Sequence, residues 1–159
     1  LVGSEMCIRD SYHGPRNDLP RDYSPKDVIS MLNGVSEKIL CVRGNCDSEV
    51  DQMVLNFPIM ASYAVLFADG LTIYASHGHE IGENNPPPLS GDACRQILLC
   101  GHTHVPKAAR HESFTYINPG SVSIPKEKSP HSYMTYENGL FVWKDIDANA
   151  YNSFRPLTQ

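Results

Sequence analysis

Apolar residues in this chain come in short runs of strand length, each leading straight into a loop rich in Gly, Asn and His. Residues 38–42 (KILCV) precede Gly44-Asn45-Cys46-Asp47, and residues 71–75 (LTIYA) precede His77-Gly78-His79. Residues 97–100 (ILLC) precede Gly101-His102-Thr103-His104, and residues 114–117 (FTYI) precede Asn118-Pro119-Gly120-Ser121. Short apolar runs bounded by turn formers predict strands. Two hairpins interleave with them. Asp69-Gly70 separates residues 63–67 from 71–75, and Asn138-Gly139 separates 133–136 from 140–143. Upstream, Ser24-Pro25 followed by Asp27 marks a helix start; Val28, Met31, Leu32 and Val35 then fall on one face, and Gly34 lies near the end. Hairpins combined with helix-connected strands predict mixed sheets in a layered α/β domain.

The chain has 159 residues, 41% hydrophobic and 19% charged, enough for one ordinary soluble domain. A net charge of −5 argues against nucleic acid as a partner, which would require a basic face. It leaves room for a small phosphorylated substrate, because a bound metal ion supplies positive charge locally. No apolar stretch approaches the roughly 18–20 residues that cross a bilayer. Nor does the start carry a secretory pattern. Five cysteines without a CxxC pair read as reduced thiols in a cytoplasmic protein. Residues 1–11 (LVGSEMCIRDS) begin without Met and show neither helical nor strand period. They are expected to be a non-native leader, with residues 12–159 forming the domain.

Ligand sites in α/β sheets collect just beyond the carboxyl ends of strands. Asn45, His77, His79, His102 and His104 all fall at such strand ends. Any one of these residues alone reads as ordinary surface or core; their shared placement points to a metal site. Gly44, Gly78 and Gly101 lie beside them, where backbone must turn sharply and pass close to a bound ion. In Gly101-His102-Thr103-His104 the two imidazoles are two positions apart, which on an extended segment puts them on one side. The paired Cys and His spacings of a zinc finger are absent.

Together GNCD at 44–47, HGH at 77–79 and GHTH at 101–104 resemble the last three metal-binding blocks of the calcineurin-like metallophosphoesterases. NPGSVSIPK at 118–126 and HGPRN at 13–17 are similar to the YfcE-type branch of small bacterial phosphodiesterases. The resemblance implies a sandwich of two mixed sheets flanked by helices. It also implies hydrolysis of a small phosphodiester by water activated between two divalent ions, with manganese favoured and iron or zinc compatible. By this resemblance Asn45, His77 and His102 match ligands of the second metal, and His104 a ligand of the first. His79 then sits on the substrate side. Cys46 occupies a position that many members fill with a His taken to assist the leaving group. A thiol there can donate a proton, although packing is the expected role. Asp47 is expected to orient whatever acts beside it. His13 and Arg16 would lie near the substrate phosphate, or else belong to a loop shaped by Gly14-Pro15 with a solvated Arg.

The family's opening DxH block and its Gly–Asp block should precede HGPRN, and neither is present. Asp10 fits neither spacing nor neighbours and is assigned no role. The expectation is therefore a domain lacking its first strand-helix-strand portion, with the bridging Asp and two first-metal ligands missing and negligible turnover as written. Two other readings are a non-enzymatic protein-interaction scaffold, a use to which a retromer subunit puts this fold, and a mononuclear zinc protein. Retention of every metal position inside the covered blocks favours an enzyme.

Overall fold

The computed structural model describes residues 2–3, 23–89 and 91–156. In chain order its elements are β1 (Val2–Gly3), α1 (Pro25–Asn33), a 3-10 turn (Ser36–Lys38), α2 (Glu49–Val54), β2 (Tyr63–Ala68), β3 (Leu71–Ser76), β4 (Gln96–Cys100), β5 (Lys107–Arg110), β6 (Thr115–Asn118), β7 (Ser132–Glu137), β8 (Leu140–Asp145) and β9 (Ala150–Phe154).

Two sheets result. One is mixed, in the order β2-β3-β4-β6-β5, with β3, β4 and β6 parallel and both edge strands antiparallel. The other, β1-β7-β8-β9, pairs antiparallel throughout its described strands. Both expected hairpins form. Asp69 and Gly70, and likewise Asn138 and Gly139, take positive φ at both central positions, as the tight turns that match strand twist demand. The two turns are tied together by Asp69, whose Oδ2 accepts from the Tyr136 hydroxyl (2.8 Å) and the Gly139 N–H (3.1 Å).

Alternation along the strands sorts side chains between two cores. Leu71, Ile73, Ile97, Leu99 and Ile117 point from the mixed sheet onto Met134, Phe141 and Trp143 of the antiparallel one. The opposite face of the mixed sheet buries Leu98, Cys100, Phe114 and Tyr116. β4 is thus apolar on both faces, which accounts for its continuous run of Ile, Leu and Leu.

Several features depart from the sequence reading, β1 among them: Val2 and Gly3 pair with Thr135 and Met134 of β7, although residues 1–11 show no strand period. Residues 39–42 belong to no described strand. Their stretch is extended, but the backbone bond it leads to is Arg43 N–H to Ala61 O (2.8 Å), and a ladder requires a neighbour bonded along its length. Helix α2 was not anticipated, nor were the short strands β5 and β9. In α1 the half-buried residues that meet Leu55, Phe57 and Ile59 are Ile29 and Leu32, while Met31 and Val35 are exposed. The helix is therefore rotated from the face expected. No helix among the described residues is long and apolar enough to cross a membrane.

Candidate active site

β3 and β4 run parallel in a register that sets Ser76 beside Cys100. Their two loops consequently start at the same level on adjacent strands. The Gly101 N–H donates to the His77 carbonyl (2.9 Å), locking the loops together at their first residues. Gly78 has φ +113°, and a Cβ there would meet Cβ of His102 at 3.2 Å and Cβ of Cys100 at 3.3 Å. Only glycine lets the HGH loop close on the GHTH loop so tightly.

Asn45 comes from a third loop. Asp47 closes that turn on itself: its Oδ2 accepts from Gly44 N–H (2.6 Å) and its own N–H donates to the Gly44 carbonyl (3.2 Å). Immediately afterwards Ser48 starts α2 with a capping box, its N–H and hydroxyl both donating to Asp51 Oδ2 at 2.7 Å.

Three donor atoms converge where these loops meet. Nε2 of His77, which is nearly buried, lies 2.9 Å from Oδ1 of Asn45 and 3.1 Å from Nδ1 of His102. The amide oxygen only accepts, and one imidazole N–H points at one acceptor, so a proton serves this cluster incompletely. A divalent cation suits it better, since separations of about 3 Å are those of donors sharing one ion at bonds near 2.1 Å. The set, two imidazoles and an amide oxygen, therefore fits a transition metal ion. Among the described residues His, Cys, Asp and Glu alone form no three-membered metal cluster, and the third donor of the trio is the amide oxygen of Asn45.

A cavity of about 220 Å³ opens beside the trio, walled by Asn45, His77, His79, Arg43, Ser76 and Glu80. The His79 ring lies 5.1 Å from that of His77 and 6.1 Å from that of His102, with Nε2 3.8 Å from Glu80. The lip of the cavity is held down by the Ser76 hydroxyl, which donates to the Ile81 carbonyl (2.6 Å). Further along this loop Glu83 receives Lys107 Nζ at 2.7 Å and sits 3.0 Å from His111 Nε2. Burial alone would raise the Glu83 carboxyl, but hydrogen bonds and charge from Lys107 and His111 outweigh it and hold the group below its ordinary range.

His102 and His104 both take left-handed backbone, with φ +64° and +62°, so the extended segment expected to put both rings on one side does not form. Non-glycine residues in this region are uncommon and cluster at functional sites. His104 is fixed separately: the Ile124 carbonyl lies 2.7 Å from its Nδ1, so Nδ1 carries the proton and Nε2 keeps the lone pair a metal requires. Cys46 is half-buried and unbridged, and Asp47 shapes the turn that presents Asn45. His13 and Arg16 lie outside the described residues, as does Asp10.

Two residues of the site were not singled out by sequence. Arg43 lines the cavity, its Nε donating to the Asp47 carbonyl (3.4 Å), and its position two residues before Asn45 was a usable signal. Asn118 ends β6 fully buried beneath the GHTH loop. In the sequence it stands out only as part of the NPGS stretch.

Comparison with known proteins places the chain in a family. The model of the calcineurin-like phosphoesterase superfamily domain matches residues 22–138. The phosphodiesterase YfcE of Escherichia coli K12 is 46% identical over 128 residues, 80% of this chain and 68% of that protein. The solved structure of YfcE, a phosphoesterase from E. coli, superposes with a TM-score of 0.83 at 40% identity, covering 91% of this chain and 79% of that one. Vacuolar Protein Sorting 29 from Cryptosporidium parvum shares the fold at a TM-score of 0.50 and 19% identity, over 82% of this chain and 76% of its own. The match along most of the chain, the close relative and the common fold establish that the chain belongs to the calcineurin-like phosphoesterase superfamily, a family of phosphoric ester hydrolases.

Proposed function

We propose that the chain is a metal-dependent phosphodiesterase domain acting on a small phosphodiester with the help of two divalent cations. The observation that carries this reading is the convergence of Asn45 Oδ1 and His102 Nδ1 on His77 Nε2 at 2.9 and 3.1 Å, the two histidines from the ends of adjacent strands and Asn45 from a third loop. When bound, divalent cations lower the pKa of a water nucleophile and offset charge on the phosphoryl oxygens.

The remaining work falls to the chain's own groups. Asn45, His77 and His102 hold one cation through neutral donors. His104, aimed by its bond to Ile124, belongs to the other. Manganese is favoured, and the same donors suit iron or zinc. Arg43, which lines the cavity with its Nε donating to the Asp47 carbonyl, is assigned to the phosphoryl oxygens, as are His13 and Arg16. His79 stands on the substrate side. Cys46 packs beside the Asn45 turn, and Asp47 keeps that turn closed. The converging donors weigh against a purely scaffolding role. The negative net charge weighs against a nucleic acid substrate, and a cytoplasmic setting suits the reduced thiols.

A carboxylate bridging two cations belongs to the family's DxH block, which is not among these 159 residues. The test is manganese-dependent hydrolysis of a bis-aryl phosphate, run on this chain and on a chimera carrying the family's DxH and Gly–Asp blocks ahead of Tyr12. Turnover in the chimera that vanishes with His77→Ala or His102→Ala supports the reading. A folded, manganese-loaded chimera without turnover contradicts it.

A further inference from the structure

We propose that Asn118 is the positioning residue that sets the aim of His102 and His104, a role that rests on the reading of these histidines as metal donors. The Asn118 side chain is fully buried and spans from the end of β6 to the loop beyond β4. Its Nδ2 donates to the Gly101 carbonyl (2.7 Å) and to Oγ1 of Thr103 (3.0 Å), with the Tyr116 hydroxyl 3.2 Å away. Gly101 precedes His102, and Thr103 separates the two histidines. The amide therefore grips the loop at both points that flank His102, the residue whose left-handed φ of +64° directs its ring.

Asn118 is itself held from two sides. Its Oδ1 accepts from the Gly120 N–H (2.8 Å), and its carbonyl accepts from Nε1 of Trp143 (2.8 Å) in the core between the sheets. The Ser132 hydroxyl donates to the neighbouring Pro119 carbonyl (3.0 Å). A left-handed conformation that is uncommon for histidine is thereby tied to the buried core between the sheets. Outer groups that orient metal ligands typically contribute about 10–100-fold in metal affinity.

The experiment is equilibrium dialysis of manganese against the full chain, with thermal melts, for the wild type, Asn118→Ala, Thr103→Val and Ser132→Ala. Asn118→Ala is expected to weaken manganese binding about 10–100-fold. Thr103→Val, which removes one of the two grip points at an exposed position, should weaken it less but in the same direction. Ser132→Ala removes a buried bond from the same turn and should lower Tm without weakening binding. Folded Asn118→Ala that binds like the wild type overturns the proposal, as does Ser132→Ala weakening binding equally. Should Asn118→Ala fail to fold, unchanged affinity in Thr103→Val overturns it. A wild type that binds no manganese overturns the metal reading itself, an outcome distinct from wild-type binding that Asn118 leaves untouched.

Discussion

His77 and His102, 25 residues apart in sequence, bring Nε2 and Nδ1 to 3.1 Å because β3 and β4 end in register at Ser76 and Cys100. If that pair and Asn45 are the donors of one ion, removing either imidazole leaves too few ligands to hold it. His77→Ala and His102→Ala are each expected to weaken divalent binding by about 100-fold or more, exceeding the effect of outer-sphere changes. Calorimetric titration with manganese checks this. Asn45→Ala should act in the same direction.

Gly78 makes the approach of the two loops possible. Gly78→Ala would force a Cβ to 3.2 Å from His102 and keep φ at +113°. A loss of about 1–3 kcal/mol is expected, measured by urea unfolding. Metal affinity should fall with it, since relief of the clash moves the two histidines apart.

Trp143 joins the sheets through its bond to the Asn118 carbonyl, both residues being fully buried. Trp143→Phe keeps much of the ring packing but strands that carbonyl. The expected cost is about 1–3 kcal/mol in unfolding free energy, with the unfolding slope unchanged.

Alkaline pH should destabilise the fold through two thiols. Burial pushes Cys41 up to about 11, with the nearby charge of Asp47 adding to it, and burial likewise pushes Cys100 up to about 11, against an ordinary value of 9.0. Between those values the folded chain binds more protons than the unfolded one. Their contribution is thus full below pH 9.0 and is lost as pH rises towards 11. Urea midpoints measured across that range should fall, and Cys100→Ala should flatten the decline.

Much of this arrangement was legible where local chemistry and tertiary structure agree. Asp69-Gly70 and Asn138-Gly139 state their turns in two letters, and the residues of β3 and β4 are apolar because both sheet faces or one face lie in core. Strand ends placed His77 and His102 on the same side, and the family resemblance grouped them on one ion. β5 and β9 were not legible because they are short edge strands: Lys107 and Arg110 bound one, and the other is mostly exposed. α2 was missed despite a readable signal, the Ser48–Asp51 capping box, because its six residues span under two turns. The apolar run at 39–42 looked like a strand because composition records burial and not pairing. It half-buries Ile39 and Cys41 against the cluster beneath α1 and α2. Asn118 was hidden for a different reason: a buried polar hub is defined by partners distributed over the chain, here Gly101, Thr103, Gly120 and Trp143.

The most direct test of the central claim is the stoichiometry of manganese bound by this chain, with His77→Ala alongside. One equivalent bound by the wild type and lost in a folded His77→Ala is the predicted result. No binding by the wild type, or binding that His77→Ala leaves unchanged, would contradict the claim that Asn45, His77 and His102 form a metal site.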